Sequence, residues 1–529
     1  MEFAILSAII IAIVTVMIIW DKVQRNKNLK ARLQNNFGKI PDQELNLNTI
    51  KKYKTLKGGG MIDEITWHDL DMDKVFTRIN ACQSSVGEEY LYDCLHNPQF
   101  SEDTLQKREE RIDFFAKNEE ARFQAQLALA RLGKDDFNGI ALLIFGENVR
   151  LLPYSLMYKI LAFMPIVFAV TSVFSLLAGA IGLLLSFIVN LIVHHKSMAV
   201  METEYPAISY FGAMMVCYKR LINLGHLDEG LEYKIFKKVI SKAPVKKAGT
   251  SSDLADAVWQ YFTVMFLYDV RHYNKFITLI MQNNDDFHKI YRTLGETDMA
   301  IAVLNFRKSL PAFCLPQFNN ENALDFEEIF HPLITEPVTN TQKIERDSLI
   351  TGSNASGKST FIKTLAINGI LAQTIYTCTA KRFATRFSLV ITSMAMRDDI
   401  LAGESYFIVE IKSLKRILTA IENHPCTCYI DEILRGTNTT ERVAASAAIL
   451  QFLNKKDILC IAATHDIELT RILPHKNYHF CETVTDGGIT FDYKLKQGAS
   501  KTRNAIKLLE AMGFEPEIVE NANRLAYTE

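Results

Sequence analysis

The segment Leu349–Thr360, L-I-T-G-S-N-A-S-G-K-S-T, constrains this chain more than any other, because it sets a glycine-rich loop directly after a short apolar run. Gly352, four residues, then Gly357-Lys358-Ser359 is the spacing that lets bare backbone N–H groups wrap phosphate oxygens. It sends the Lys358 ammonium to the β/γ oxygens of a nucleoside triphosphate and offers the Ser359 hydroxyl to Mg²⁺. The candidate nucleotide contacts are therefore Gly352, Ser353, Asn354, Ala355, Ser356, Gly357, Lys358, Ser359 and Thr360. A helix starting near Lys358 would add its positive N-terminal dipole.

After Pro316 short apolar runs at 348–350, 388–392, 427–430 and 458–463 alternate with helical stretches, the α/β pattern of a mostly parallel sheet covered on both faces. Cys426–Glu432 reads C-T-C-Y-I-D-E, an apolar strand ending in two carboxylates at the edge where a parallel sheet takes its ligands. Asp431 is suited to hold the metal and Glu432 to polarise the water that attacks the γ-phosphate. Ala463-Thr464-His465-Asp466 follows the next apolar strand, where His465 can contact the γ-phosphate. The catalytic candidates are Lys358, Glu432 and His465; the metal candidates are Ser359 and Asp431.

These segments follow the order of an ABC-type ATPase, and five of them together resemble the MutS family. They are the loop T-G-S-N-A-S-G-K-S-T, the run L-A-G-E-S-Y-F from Leu401, D-E-I-L-R-G-T-N-T-T from Asp431, A-T-H-D-I-E-L-T from Ala463 and Y-K-L-K-Q-G-A-S from Tyr493. His331-Pro332-Leu333 and Thr339-Asn340 look like that family's entry to its ATPase domain, so the resemblance covers about residues 325–529. It implies that Ser405 reaches the γ-phosphate of a second subunit's nucleotide, that Tyr493 stacks on adenine, and that the site is completed in a homodimer. The aromatic that the family carries ahead of its entry motif is replaced here by Pro337. The helical stretch 502–526 resembles the family's dimer-clasping tail. Upstream, Ser84-Ser85-Val86-Gly87 to Pro98, Lys107 to Asn118 and Asp298 to Pro316 look like parts of its helical core and levers. No segment resembles the family's mismatch-reading domain, and none after the ATPase resembles a nuclease.

Two apolar blocks interrupt the N-terminal half. Phe3–Trp20 is 18 residues without a charge, roughly 27 Å as a helix and enough to cross a bilayer. Lys22, Arg25, Lys27, Lys30 and Arg32 follow it, which places that flank in the cytoplasm. Ile160–Val193 is 34 residues with no Asp, Glu, Lys, Arg or His, the length of two short spans turning near residues 172–179. Lys57-Gly58-Gly59-Gly60 reads as a flexible joint, and the lysines at 237–247 as a wet helix face.

The formal net charge of −1 gives no global basic field for nucleic acid, and nine scattered cysteines without a C-x-x-C pair argue against disulfides and zinc. The expected organisation is a transmembrane anchor at 1–20, a juxtamembrane segment and linker at 21–68, helical core and lever at 69–159 and 194–320 around a transmembrane hairpin at 160–193, and an α/β P-loop ATPase domain with dimerisation helices at 321–529. The expected activity is Mg²⁺-dependent ATP hydrolysis in a membrane-anchored dimer, with membrane lipid as a partner and the ATPase domain cytoplasmic. The alternative is a protein of the family's usual kind, recognising mismatched or branched DNA.

Overall fold

A computed structural model describes the chain apart from residues 1, 43–44, 135–138, 147–150, 154, 202–203, 226–259, 353–355, 395–405, 435–436, 486–487, 501–505, 507–508, 511 and 527–529, and apart from the side chains of 2–12, 14, 155, 204–206, 209, 406, 483–485 and 488–489. The chain divides into two compact units. One comprises Met1–Gly59, Ile79–Asp93 and Glu110–Phe306; the other comprises Gly60–Arg78, Cys94–Glu109 and Arg307–Glu529. The lysine-rich 237–247 stretch lies outside the described residues.

The first unit is helical. Its core gathers Tyr53, Phe145 and Tyr291, with ring centroids 5.0–5.3 Å apart. A 35-residue helix, Glu2–Asn36, opens it; most side chains of the expected first span lie outside the described residues. Among the described residues two helices are long and apolar enough to cross a membrane, Leu156–Phe174 and Leu176–Val200. They break at Ser175, whose side chain caps the second helix at Ala178 N, inside the turn region the sequence indicates. Only 17% and 22% of their apolar windows are buried. Val173, Phe174, Leu176 and Leu177 at the tip are 73–85% exposed. The helices approach closely because Gly179 and Gly182 have no side chain: a Cβ there would lie 2.3 Å from Ser172 and 2.1 Å from Phe168.

Gly58 and Gly59, at φ +92° and +94°, close the helix Leu47–Leu56. Gly60 packs so tightly that a Cβ would sit 2.6 Å from that of His96. The expected loose joint is therefore a helix stop followed by a close contact.

The second unit is α/β. Its strands in chain order are β1 Gln317–Phe318, β2 Leu324–Ile329, β3 Asn340–Ile344, β4 Ser348–Thr351, β5 Arg382–Thr385, β6 Leu389–Ser393, β7 Cys426–Asp431, β8 Leu459–Ala463, β9 Lys476–His479, β10 Glu482–Thr485, β11 Gly488–Phe491 and β12 Lys496–Gln497. The main sheet runs β12-β9-β4-β8-β7-β6. All its pairs are parallel except the β12 edge. Strands β4, β6, β7 and β8 are buried at every residue, as a parallel sheet with both faces covered requires. A mixed sheet, β1-β5-β2-β3, and the β10–β11 hairpin complete the set. The helix Lys358–Thr374 is buried along nearly its whole length, packing on β6, β7 and β8 with Phe361 against Phe326 of β2.

In the helical unit, Asp298 supports the start of helix Ser85–His96. Its carboxylate accepts from Ser84 N at 2.8 Å, Ser84 Oγ at 2.6 Å and Gln83 N at 3.1 Å. Burial outweighs these donors and raises the carboxyl to about 6 from 3.8. The folded unit thus holds this proton more tightly than the unfolded chain, so the group's contribution is complete below about pH 4 and is lost as pH rises through about 6. The stability lost in Asp298→Ala, measured by urea unfolding of the detergent-solubilised protein, is predicted to be larger at pH 4.5 than at pH 7.5 by up to about 3 kcal/mol. Equal losses at both pH values would contradict this assignment.

Candidate nucleotide site

Three neighbouring strands deliver their C-terminal ends to one edge. The parallel register sets Ile350 of β4 beside Ala463 of β8, and Ala463 beside Asp431 of β7. The ladder continues past the strands, with Thr464 N donating to Ile350 O at 3.0 Å and Glu432 N to Ala463 O at 2.9 Å. The glycine-rich loop, the two carboxylates and His465, about 80 and 30 residues apart in the chain, are thereby made neighbours.

At the loop, Gly352 adopts φ +141°, and a Cβ on it would lie 2.5 Å from Phe480 O. Gly357, at φ +98°, caps the following helix. Ser356 and Lys358 are buried, Ser359 half-buried and Thr360 exposed; the Lys358 ammonium donates to the Gly352 carbonyl. Ser353, Asn354, Ala355 and Ser405 lie outside the described residues.

Asp431 is 5% exposed, and its Oδ1 is buried without a hydrogen-bond partner among the described residues. A carboxyl oxygen in that setting calls for a partner, and a cation is one that suits it. Among the described residues no three His, Cys, Asp or Glu side chains converge on a protein-only metal cage. Such a residue set fits Mg²⁺, which takes one or two carboxylates and completes its shell with phosphate oxygens and water. Glu432 is buried at the left-handed φ of +59°, with Oε2 3.3 Å from His465 Nδ1. Backbone strain at a buried carboxylate is the kind that concentrates at functional sites.

Sequence reasoning did not single out the residues that steady this edge. Arg442 grips Asp466 with two bonds of 2.9 and 2.7 Å, tying β8 to helix Thr439–Leu453. Asn438 caps that helix at Glu441 N, 2.9 Å away. The N-x-x-E spacing is a capping signal visible in the sequence; the Arg442–Asp466 pair carries none.

Beside Gly357 lies a cavity of about 390 Å³ that takes in Tyr493, Phe480, Phe361, Ile334, Pro337 and Val338. The Tyr493 ring comes within 3.0 Å of where a Gly357 Cβ would sit. Tyr493 is itself held at φ +51° by Asn340, which donates to its carbonyl at 3.0 Å and accepts from Leu495 N at 2.8 Å. His331 borders the same space and is kept neutral, its pKa lowered to about 4 by burial and by the nearby Lys363 ammonium.

Residues 348–528 match the family model MutS domain V. MutS domain V is a P-loop ATPase domain. The chain is 34% identical over 184 residues to the DNA mismatch repair protein MutS of Natronomonas pharaonis. It is 32% identical over 214 residues to that of Roseiflexus castenholzii and 30% over 222 residues to that of Staphylococcus haemolyticus. These alignments cover 34%, 39% and 39% of this chain but only 21%, 19% and 25% of the relatives. The match and the identities of about 30% support the MutS family for this chain.

The domain V loop depends on its first glycine. Gly352→Ala is predicted to weaken ATP binding at least tenfold by fluorescence titration, because the methyl meets backbone carbonyl rather than a side chain that can move. Gly498→Ala, whose Cβ would meet nothing within 4 Å, carries only the backbone cost of about 1–2 kcal/mol and should leave affinity within about threefold. Equal effects would refute the steric account.

Proposed function

We propose that this chain is a Mg²⁺-dependent ATPase of the MutS type whose nucleotide cycle works on helical levers and a membrane-embedded hairpin. The observation that carries the reading is the alignment of three parallel strand ends, which sets a phosphate loop, a buried carboxylate lacking a partner and a second carboxylate on one edge. The backbone N–H groups of the loop and the Lys358 ammonium hold the phosphates. Ser359 and Asp431 hold Mg²⁺, which when bound neutralises charge building on the phosphate oxygens. Glu432 orients the attacking water and takes its proton at Oε, while the His465 ring beside Oε2 fixes that carboxylate and senses the γ-phosphate. Tyr493 takes the base, with Pro337 and Val338 supplying the apolar wall where the family has an aromatic. Ser405 acts on the nucleotide of a second copy, so the working form is a homodimer.

Transmission follows from the far end of the P-loop helix. Its last carbonyls and the turn beyond accept from Gln99 N at 2.8 Å to Gln373 O, from Arg108 to Thr374 O, and from Arg307 at 3.0 Å to Tyr376 O. Arginines there also suit the negative end of the helix dipole. Arg307 is buried and bonded twice to Glu109, at 2.8 and 2.6 Å. Arg307 closes helix Asn284–Lys308, and Arg108 and Glu109 lie in Glu102–Lys117. A shift at the phosphates would move both helices.

The hairpin 156–200 is the proposed membrane element, since its apolar surface faces outward; the N-terminal anchor and a cytoplasmic ATPase domain are retained with it.

Glu432→Gln is predicted to bind ATP normally and to lose turnover by at least a hundredfold. Adding ATP to that variant should slow hydrogen exchange in helix Glu102–Lys117, and adding Arg307→Met should abolish the slowing while ATP still binds. Parallel loss of binding and turnover in Glu432→Gln would refute its role.

The second reading is DNA recognition, favoured by the name that the relatives carry, DNA mismatch repair protein. The ATPase rate of the full-length protein is predicted not to respond to plain, mismatched or branched duplexes, in keeping with the net charge of −1. Stimulation by one of them, with a salt-dependent shift of the DNA in a gel, would replace the membrane reading with this one.

A further inference from the structure

A second cavity, about 650 Å³, lies wholly within the helical unit. It is bounded by the chain just after helix Glu2–Asn36, by the turn at 81–83 and by the end of helix Glu119–Leu132. Three features of its lining point to a ligand. Gln126 is 7% exposed and lines the cavity, yet its carboxamide makes no hydrogen bond among the described residues. The amide therefore presents two donors and an acceptor to the cavity. Arg32 and Lys39 border the space without an ion pair among the described residues, against the single carboxylate of Asp42. A third cation, Lys134, is paired 2.5 Å from Glu88, whose carboxylate also accepts from Asn80 at 2.8 Å.

The walls themselves are fixed. Asn305 bridges the loop, accepting from Gly38 N at 2.7 Å and donating to Lys39 O at 3.0 Å. Gln83 is held by Nε2 on Ala81 O at 2.8 Å, which leaves its carbonyl oxygen available. The Phe37 ring is braced by the Arg122 guanidinium at 3.9 Å. Cations for a phosphate, carboxamides that match the edges of a base, and an aromatic ring make a nucleotide-type complement. The volume lies within the ordinary range for a small-molecule site.

We propose that this cavity binds a small phosphorylated ligand of the nucleotide class, separate from the ATP held by the phosphate loop. The inference does not rest on the ATPase reading, because no residue is shared between the two sites.

The test uses a fluorescent methylanthraniloyl derivative of ATP as probe, titrated against the full-length detergent-solubilised protein. Two equivalents per chain are expected, of which Lys358→Ala removes one. The double variant Arg32→Glu, Lys39→Glu should weaken the other by at least about tenfold while keeping ATP hydrolysis, and Gln126→Leu should weaken it without adding charge. The second equivalent should be displaced by inorganic pyrophosphate. A single equivalent, abolished by Lys358→Ala, would overturn the proposal. So would a second equivalent indifferent to all three pocket substitutions. Displacement by phosphatidylglycerol vesicles but not by pyrophosphate would assign the cavity to a lipid headgroup and overturn the soluble-ligand assignment.

Discussion

A carboxylate oxygen buried without a partner is the constraint on which the rest of the C-terminal unit depends. Asp431 ends a strand that is buried at every residue, and its Oδ1 has no donor among the described residues. Leaving such a group unmatched costs several kcal/mol, so a partner at that oxygen would stabilise the unit. The parallel register then matters because it fixes where that partner can be. With Asp431, Ala463 and Ile350 abreast, the carboxylate faces the edge from which the phosphate loop departs. Gly352 keeps the loop there, since any side chain would strike the backbone at Phe480.

The same unit links the phosphate loop to the far end of the helix that follows it. The helix that starts at the phosphate loop is buried along nearly its whole length between two sheets, where close packing resists bending. Gln99, Arg108 and Arg307 grip its far end, and Tyr376 is held just beyond at φ +51°. The helix, about 25 Å long, thus runs from the phosphate loop to these contacts. In the hairpin, Gly179 and Gly182 bring two apolar helices together while their outer faces stay uncovered. Asn190 ties this pair to the chain at Met265, donating to Leu161 O at 3.1 Å and Met265 O at 2.7 Å.

Much of the α/β unit was legible because its signals are local. Apolar runs at 348–350, 388–392, 427–430 and 458–463 coincide with β4, β6, β7 and β8 to within a residue or two, since strands buried on both faces are continuously apolar. The break at Ser175 was legible from the length of the apolar block. The mixed sheet was not, because β2 and β3 carry Asp325, Glu327 and Lys343 on short, partly exposed runs. Nor was the membership of Gly60–Arg78 in the second unit. There Asp69 accepts from Thr392 Oγ1 at 2.7 Å and Met394 N at 3.0 Å, contacts some 320 residues away that no local pattern announces. Of the site, glycine spacing and strand-end carboxylates could be read directly. The Arg442–Asp466 pair and the hold of Asn340 on Tyr493 required the fold.

The glycine-rich loop, the strand register and the match to MutS domain V meet at one edge of the C-terminal sheet, and its action on the attached helices is our proposal. The most direct measurement is release of γ-phosphate from ATP by the purified full-length chain, with Mg²⁺ and with the metal chelated, beside Lys358→Ala. The account predicts hydrolysis that requires Mg²⁺ and vanishes in the variant although the protein remains folded. Hydrolysis unchanged by Lys358→Ala, or a folded wild-type chain that neither binds nor hydrolyses ATP, would contradict it.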